Sequence, residues 1–143
     1  MRSLCHIACL VLLLSTLCGC AKSPADRNLQ EIFPPNMTIV YQPIDTVWQE
    51  LLKLLRYEYL YTIEVENRRA YFFSTELIRD DQNDLETKYR LSGTLKSDGK
   101  GIAVVLYRQI QVLTDKGWMV QPTDYRLEHA ILMRLNQRLA ALR

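Results

Sequence analysis

The amino-acid sequence predicts an α+β domain in which an antiparallel sheet carries helices packed on one face, in the order β-α-β-β-β-β-α. Three observations lead there. Two stretches, around residues 44–56 and 124–142, space their apolar residues at helical intervals. Between them run segments that alternate apolar and polar residues. Short turns join those consecutive segments, which favours antiparallel pairing and leaves both helices free to cover one face.

The elements follow in chain order. Residues 37–41 (Met-Thr-Ile-Val-Tyr) form a short strand, and Pro43 with Asp45-Thr46 announces a helix. Thr46 and Gln49 have capping-box spacing. Thr46, Gln49, Glu50, Lys53 and Arg56 make a polar stripe on that helix, with Val47, Trp48, Leu51, Leu52, Leu54 and Leu55 on the remainder. Tyr61, Ile63 and Val65 then alternate with polar residues, and Asn67-Arg68-Arg69 turns the chain into residues 70–75 as a hairpin. Residues 79–86 read as a charged loop. The cleanest alternation follows: Tyr89, Leu91, Gly93 and Leu95 on a dry face, Lys88, Arg90, Ser92, Thr94 and Lys96 on a wet one.

Ser97-Asp98-Gly99-Lys100-Gly101 turns into the β-branched run 102–113, and residues 114–117 turn again into Trp118-Met119-Val120, either a further strand or the end of the last one. Pro122 ends the strands. Thr123 or Asp124 caps a final helix carrying Leu127, Ile131, Leu135, Leu139 and Leu142, with Arg138 and Arg143 at its negative dipole end. A curved sheet gripping that helix would be a helix-grip arrangement; a plain two-layer sandwich is the close alternative.

Cysteine placement separates this body from what precedes it. The chain has 143 residues, four cysteines and a formal charge of +2, and Cys5, Cys9, Cys18 and Cys20 all lie in its first twenty residues. A disulfide scaffold, a cysteine zinc site and a dithiol redox motif are thereby excluded from the folded body. Arg2, the apolar stretch 6–17 and the small residues after it have signal-peptide anatomy, and the apolar run is short for a membrane span. Leu17-Cys18-Gly19-Cys20 resembles a bacterial lipobox. That resemblance implies cleavage after Gly19 by signal peptidase II, with Leu17, Cys18 and Gly19 recognised and Cys20 acylated.

Two or three acyl chains, each contributing about 0.8 kcal/mol per buried CH₂, hold a small protein on a membrane essentially permanently. Ala21, under enteric-type sorting, implies the outer membrane. The expected organisation is a lipoprotein signal peptide at 1–19, a lipidated N-terminus and Pro-containing tether at 20–36, and a domain at 37–143. Removing the first 19 residues leaves 124, with 17 Lys+Arg against 16 Asp+Glu. Such a balance calls for no nucleic-acid partner.

Catalytic constellations are not found in the sequence. His129 is the body's lone histidine, on the polar side of the last helix. Residues 98–101 lack P-loop spacing, no Gly-x-Ser-x-Gly elbow occurs, and the acidic cluster Asp80, Asp81, Asp84 and Glu86 lacks the glycine of a calcium loop. The expectation is a non-enzyme with no metal or cofactor. Eight tyrosines, with Phe72, Phe73, Trp48 and Trp118, serve either core packing or recognition, and packing is the favoured use.

Ile44-Asp45-Thr46-Val47-Trp48-Gln49-Glu50-Leu51, preceding Tyr61-Thr62-Ile63-Glu64-Val65, resembles the helix opening of domains in the BamC (NlpB) family, lipoproteins of the outer-membrane β-barrel assembly machinery. Lys88-Tyr89-Arg90-Leu91-Ser92-Gly93-Thr94-Leu95 and Gly101-Ile102-Ala103-Val104-Val105-Leu106 are similar to that family's later strands. The resemblance spans roughly residues 38–142. It implies a helix-grip fold and a non-catalytic accessory role on the periplasmic side of the outer membrane, with no catalytic residue to carry over. Longer members have two such domains and a long partner-wrapping N-terminal segment; one domain and a short tether are read here, and the partner-binding mode does not transfer.

Two functions follow as expectations. The first is a lipid-anchored interaction lipoprotein with an envelope protein partner, supporting outer-membrane protein assembly. The alternative is an envelope carrier for a hydrophobic ligand or glycolipid, of the lipopolysaccharide-assembly type, which requires an apolar cavity of roughly 300 Å³ or more.

Overall fold

The structure, a computed structural model, describes residues 34–80 and 86–142. Residues 1–19 and nearly all of the expected tether lie outside the described residues. In chain order the elements are β1 (Met37–Val40), α1 (Ile44–Lys53) continued by a π-helical turn (Leu54–Glu58), β2 (Ile63–Asn67), β3 (Phe72–Thr75), β4 (Ile78–Asp80), β5 (Thr87–Ser97), β6 (Ile102–Thr114), β7 (Gly117–Gln121) and α2 (Arg126–Ala140).

All seven strands join one antiparallel sheet, ordered β1-β6-β5-β3-β2, with β4 added beside β5 and β7 beside β6. The α+β class and the helix at each end are as the sequence predicts. The long strands β5 and β6 are the frame, in register from Thr87↔Val112 to Ser97↔Ile102. Residues 118–120 belong to a strand of their own. Part of the expected charged loop is also strand: Ile78, Arg79 and Asp80 pair with Tyr89, Lys88 and Thr87.

Period-two alternation decides which side is buried. Leu91 and Leu95 of β5 and Val104 and Leu106 of β6 are 0–2% exposed and face both helices. Trp48, Leu51 and Leu55 of the first helical segment and Ile131, Leu135 and Leu139 of α2 close over them. Phe73 opposes Gly93 across β3 and β5, and a Cβ on Gly93 would sit 2.5 Å from Phe73 Cε1 and 2.7 Å from Leu106 Cδ2. The ring thus occupies the space that glycine leaves.

The helix ends depart from expectation. α1 starts at Ile44, two residues before Thr46; Pro43 is its N-cap, its carbonyl accepts from the Val47 amide at 3.1 Å, and no side chain caps it. Asp45 in the first turn suits the positive dipole end. Glu50, expected on the solvated stripe, is buried and paired with Lys53 and Arg138. The π-helical turn widens the helix by one residue, so that Leu54 and Leu55 both enter the core while Glu58 reaches α2. Leu60, at φ 56°, ends the segment.

At α2 the residue before the helix is Tyr125, in the left-handed region at φ 60°; Asp124 Oδ1 accepts from the Arg126 amide and Thr123 Oγ1 from the Tyr125 amide. Neither expected residue is the N-cap: that position is Tyr125, and Thr123 and Asp124 brace the turn before the helix instead. Leu142, expected in the apolar stripe, is exposed because α2 has already ended at Ala140.

Candidate functional site

Leu17, Cys18, Gly19 and Cys20 lie outside the described residues, as do Asp81 and Asp84 of the acidic cluster. Asp80 is in β4 and Glu86 is exposed beside β5. Among the described residues, no three His, Cys, Asp or Glu side chains are grouped to hold a metal ion, and no helix is long and apolar enough to cross a membrane. His129 is exposed on α2.

A polar cluster that the sequence reading missed sits where β6 meets the start of α2. Arg108 falls on the inward face of β6, in step with Val104 and Leu106. Its Nε and Nη2 donate to Thr123 Oγ1 at 3.2 and 3.0 Å, and Nη2 donates to Asp124 Oδ1 at 2.6 Å. Thr123 donates in turn to Glu128 Oε1 at 2.8 Å, and Arg108 Nε lies 3.4 Å from Glu128 Oε2. Glu128 is fully buried. A buried charge of this kind persists only when paired.

The Arg126 backbone amide, with Arg108 beside it, holds the Asp124 carboxyl below its ordinary range. Above the guanidinium lies the Tyr89 ring, whose hydroxyl shares a 2.9 Å hydrogen bond with that of Tyr61. Burial, and then that hydrogen bond, push the Tyr61 hydroxyl well above the usual tyrosine value, so it stays protonated. The arrangement turns its charges toward one another and latches α2 to the sheet, with Glu128 Oε2 meeting Arg108 only at ion-pair distance and accepting no hydrogen bond. One signal in the sequence marks it: a charged residue on an inward position of an alternating strand demands a buried partner.

A second network joins the helices. Arg138 donates to Glu50 Oε2 and to Glu58 Oε1, and Arg134 donates to Glu58 Oε2 at 2.7 Å. Lys53, then Arg138, holds the Glu50 carboxyl below its ordinary range; Arg134, then Arg138, does the same for Glu58.

The opposite side of the sheet is different in character. No described helix covers it. Register places Val65, Ser74, Ser92 and Tyr107 in one row across four strands, with Phe72, Thr94, Val105 and Met37 in the next. Tyr107 is 54% exposed. Toward the β6–β7 hairpin the face becomes more apolar, with Leu113 opposite Trp118 and the Lys88 ammonium 3.5 Å from the Trp118 ring centre. The aromatic residues divide by burial: Trp48 and Phe73 are core, whereas Tyr107 and Trp118 stand on the open face.

Two grooves lie on the described surface. A groove of about 200 Å³ lies between β1 and the end of α2, against Ile39, Tyr41, Asn136 and Leu139. Another of about 230 Å³ lies between α1 and β2, against Trp48, Leu52, Lys53, Arg56 and Arg68. Of the small residues that could have opened an interior cavity, Gly93 is covered by Phe73, Ala103 is on the open face, and Ala130 is exposed. No protein-family model and no curated protein matches the sequence.

Proposed function

We propose that the chain is a lipid-anchored accessory lipoprotein of the bacterial outer membrane, attached through acylated Cys20, whose body faces the periplasm and binds an envelope protein partner in support of outer-membrane protein assembly. The observation that carries the interaction role is the sheet face that no described helix covers, with Val65, Tyr107, Trp118 and Val120 exposed on it. Aromatic and aliphatic residues are characteristic of such surfaces. The lipobox carries the membrane attachment. The carrier alternative draws no support from Gly93, whose space Phe73 fills, or from these two grooves, which fall below its roughly 300 Å³ requirement.

Cys20→Ala tests the anchor. Unprocessed or soluble protein is expected on fractionation, and unchanged membrane attachment overturns the lipoprotein reading. Pull-down of the lipidated protein at native expression tests the partner: recovery of no envelope protein counts against the interaction role.

A further inference from the structure

We propose that β7 is a docking edge, to which an extended, uncharged and largely apolar segment of another polypeptide adds as a further strand. This goes beyond the lipoprotein reading, because it concerns the folded body whether or not Cys20 is acylated.

An outer strand presents unpaired backbone N–H and C=O groups, and natural sheets guard such edges with charges, proline, bulges or brevity. Among the described residues, three outer strands are guarded. β2 carries Glu64 and Glu66, paired with Arg90 and Arg56, and its register shifts between Ile63 and Val65. β4 has three residues, two of them charged. β1 has four, with Pro34 and Pro35 before it and Pro43 after it. The fourth, β7, reads Gly117-Trp118-Met119-Val120-Gln121: five residues without a charge or a proline, in continuous register with β6.

Its side chains are exposed on both faces. Trp118 and Val120 lie on the open face at 41% and 64%, and Met119 lies on the other at 50%. A strand laid along β7 would bury apolar surface above and below the new ladder while satisfying the edge.

Physical chemistry selects among occupants. A lipid surface cannot pair backbone groups, each of which costs several kcal/mol when carried unsatisfied into hydrocarbon. A second copy offers five residues against five, well below the roughly 800 Å² per partner of a stable interface. An extended segment pairs the edge without having to hold a second folded body in place, and uncharged side chains match those of Trp118, Met119 and Val120.

The test uses the full chain carrying Cys20→Ala, so that loss of anchoring and loss of strand addition are read separately. The probe is a capped heptapeptide of alternating Thr and Val. We expect it to slow hydrogen exchange of β7 amides. Val120→Lys, an exposed edge guard, should weaken binding about tenfold or more with unchanged melting temperature, as should N-methylation of the peptide's pairing amides. Equal binding by the N-methylated peptide overturns the proposal, and so does absence of binding by the parent peptide. Concentration-dependent dimerisation abolished by Val120→Lys overturns it in favour of a second copy, and Val120-dependent binding to phosphatidylethanolamine–phosphatidylglycerol vesicles overturns it in favour of lipid.

Discussion

Gly93→Ala sets two effects of opposite sign against each other. Replacing a strand glycine with alanine restricts the unfolded chain, which by itself stabilises by about 0.4–1 kcal/mol where the backbone permits. The folded state opposes this. The new Cβ would lie 2.5 Å from Phe73 Cε1 and 2.7 Å from Leu106 Cδ2, whereas carbon atoms pack best at about 3.5–4.0 Å. Something must move by about 1 Å. Phe73 is fully buried and leans on Trp48, with ring centres 6.3 Å apart, so it cannot yield freely.

Overpacking of this kind costs about 1–3 kcal/mol, which outweighs the entropic gain and leaves a net loss of about 1–2 kcal/mol. Urea denaturation of Cys20→Ala protein measures it as a lower midpoint at unchanged slope. Phe73→Leu in the same chain should absorb part of the loss, giving a coupling of about 1 kcal/mol in a double-mutant cycle. A neutral or stabilising Gly93→Ala would refute the reasoning, because it would mean that the space above Gly93 is free.

The remaining predictions concern the two charge networks. Glu128→Ala removes the buried carboxylate beside Arg108 and the acceptor of the Thr123 hydroxyl while Asp124 stays paired with the guanidinium, so it should destabilise by about 1.5–3 kcal/mol, and Arg108→Met combined with Glu128→Leu should recover part of that in the same denaturation assay. Glu50 and Glu58 have folded-state pKa values below the ordinary 4.5, so the stability they contribute is complete above that value and is lost as pH falls through the folded values. Denaturation midpoints should therefore hold from neutral pH toward 5 and decline below, and Arg138→Gln should flatten the acid limb.

What could be read along the chain depended on how local the physics was. Alternation in 88–96 and the turn at 97–101 follow from pleat and turn geometry alone, and Asp98 Oδ1 does accept from the Lys100 and Gly101 amides there. Arg79 and Asp80, expected at the start of a loop, carry too short and too charged a pattern to signal a strand; with Ile78 they form one because Tyr89, Lys88 and Thr87 pair with them. The capping box also failed. Thr46 and Gln49 have suitable spacing, but the helix begins at Ile44 with Pro43 as its N-cap, so Thr46 already lies inside the first turn. Glu50 looked solvent-facing on one helix and is buried because a second helix brings Arg138 to it.

By itself, the sequence determined the α+β class, the helices at either end, the dry face of β5 and the cysteine-free body, since periodicity and composition are properties of neighbours along the chain. Only the tertiary structure decided that Phe73 fills the space above Gly93, that Arg108 and Glu128 meet, and that β7 pairs with β6 alone among the described strands. Each of these joins residues far apart in sequence, and which strand is left without a neighbour is settled only when every other strand has found its place.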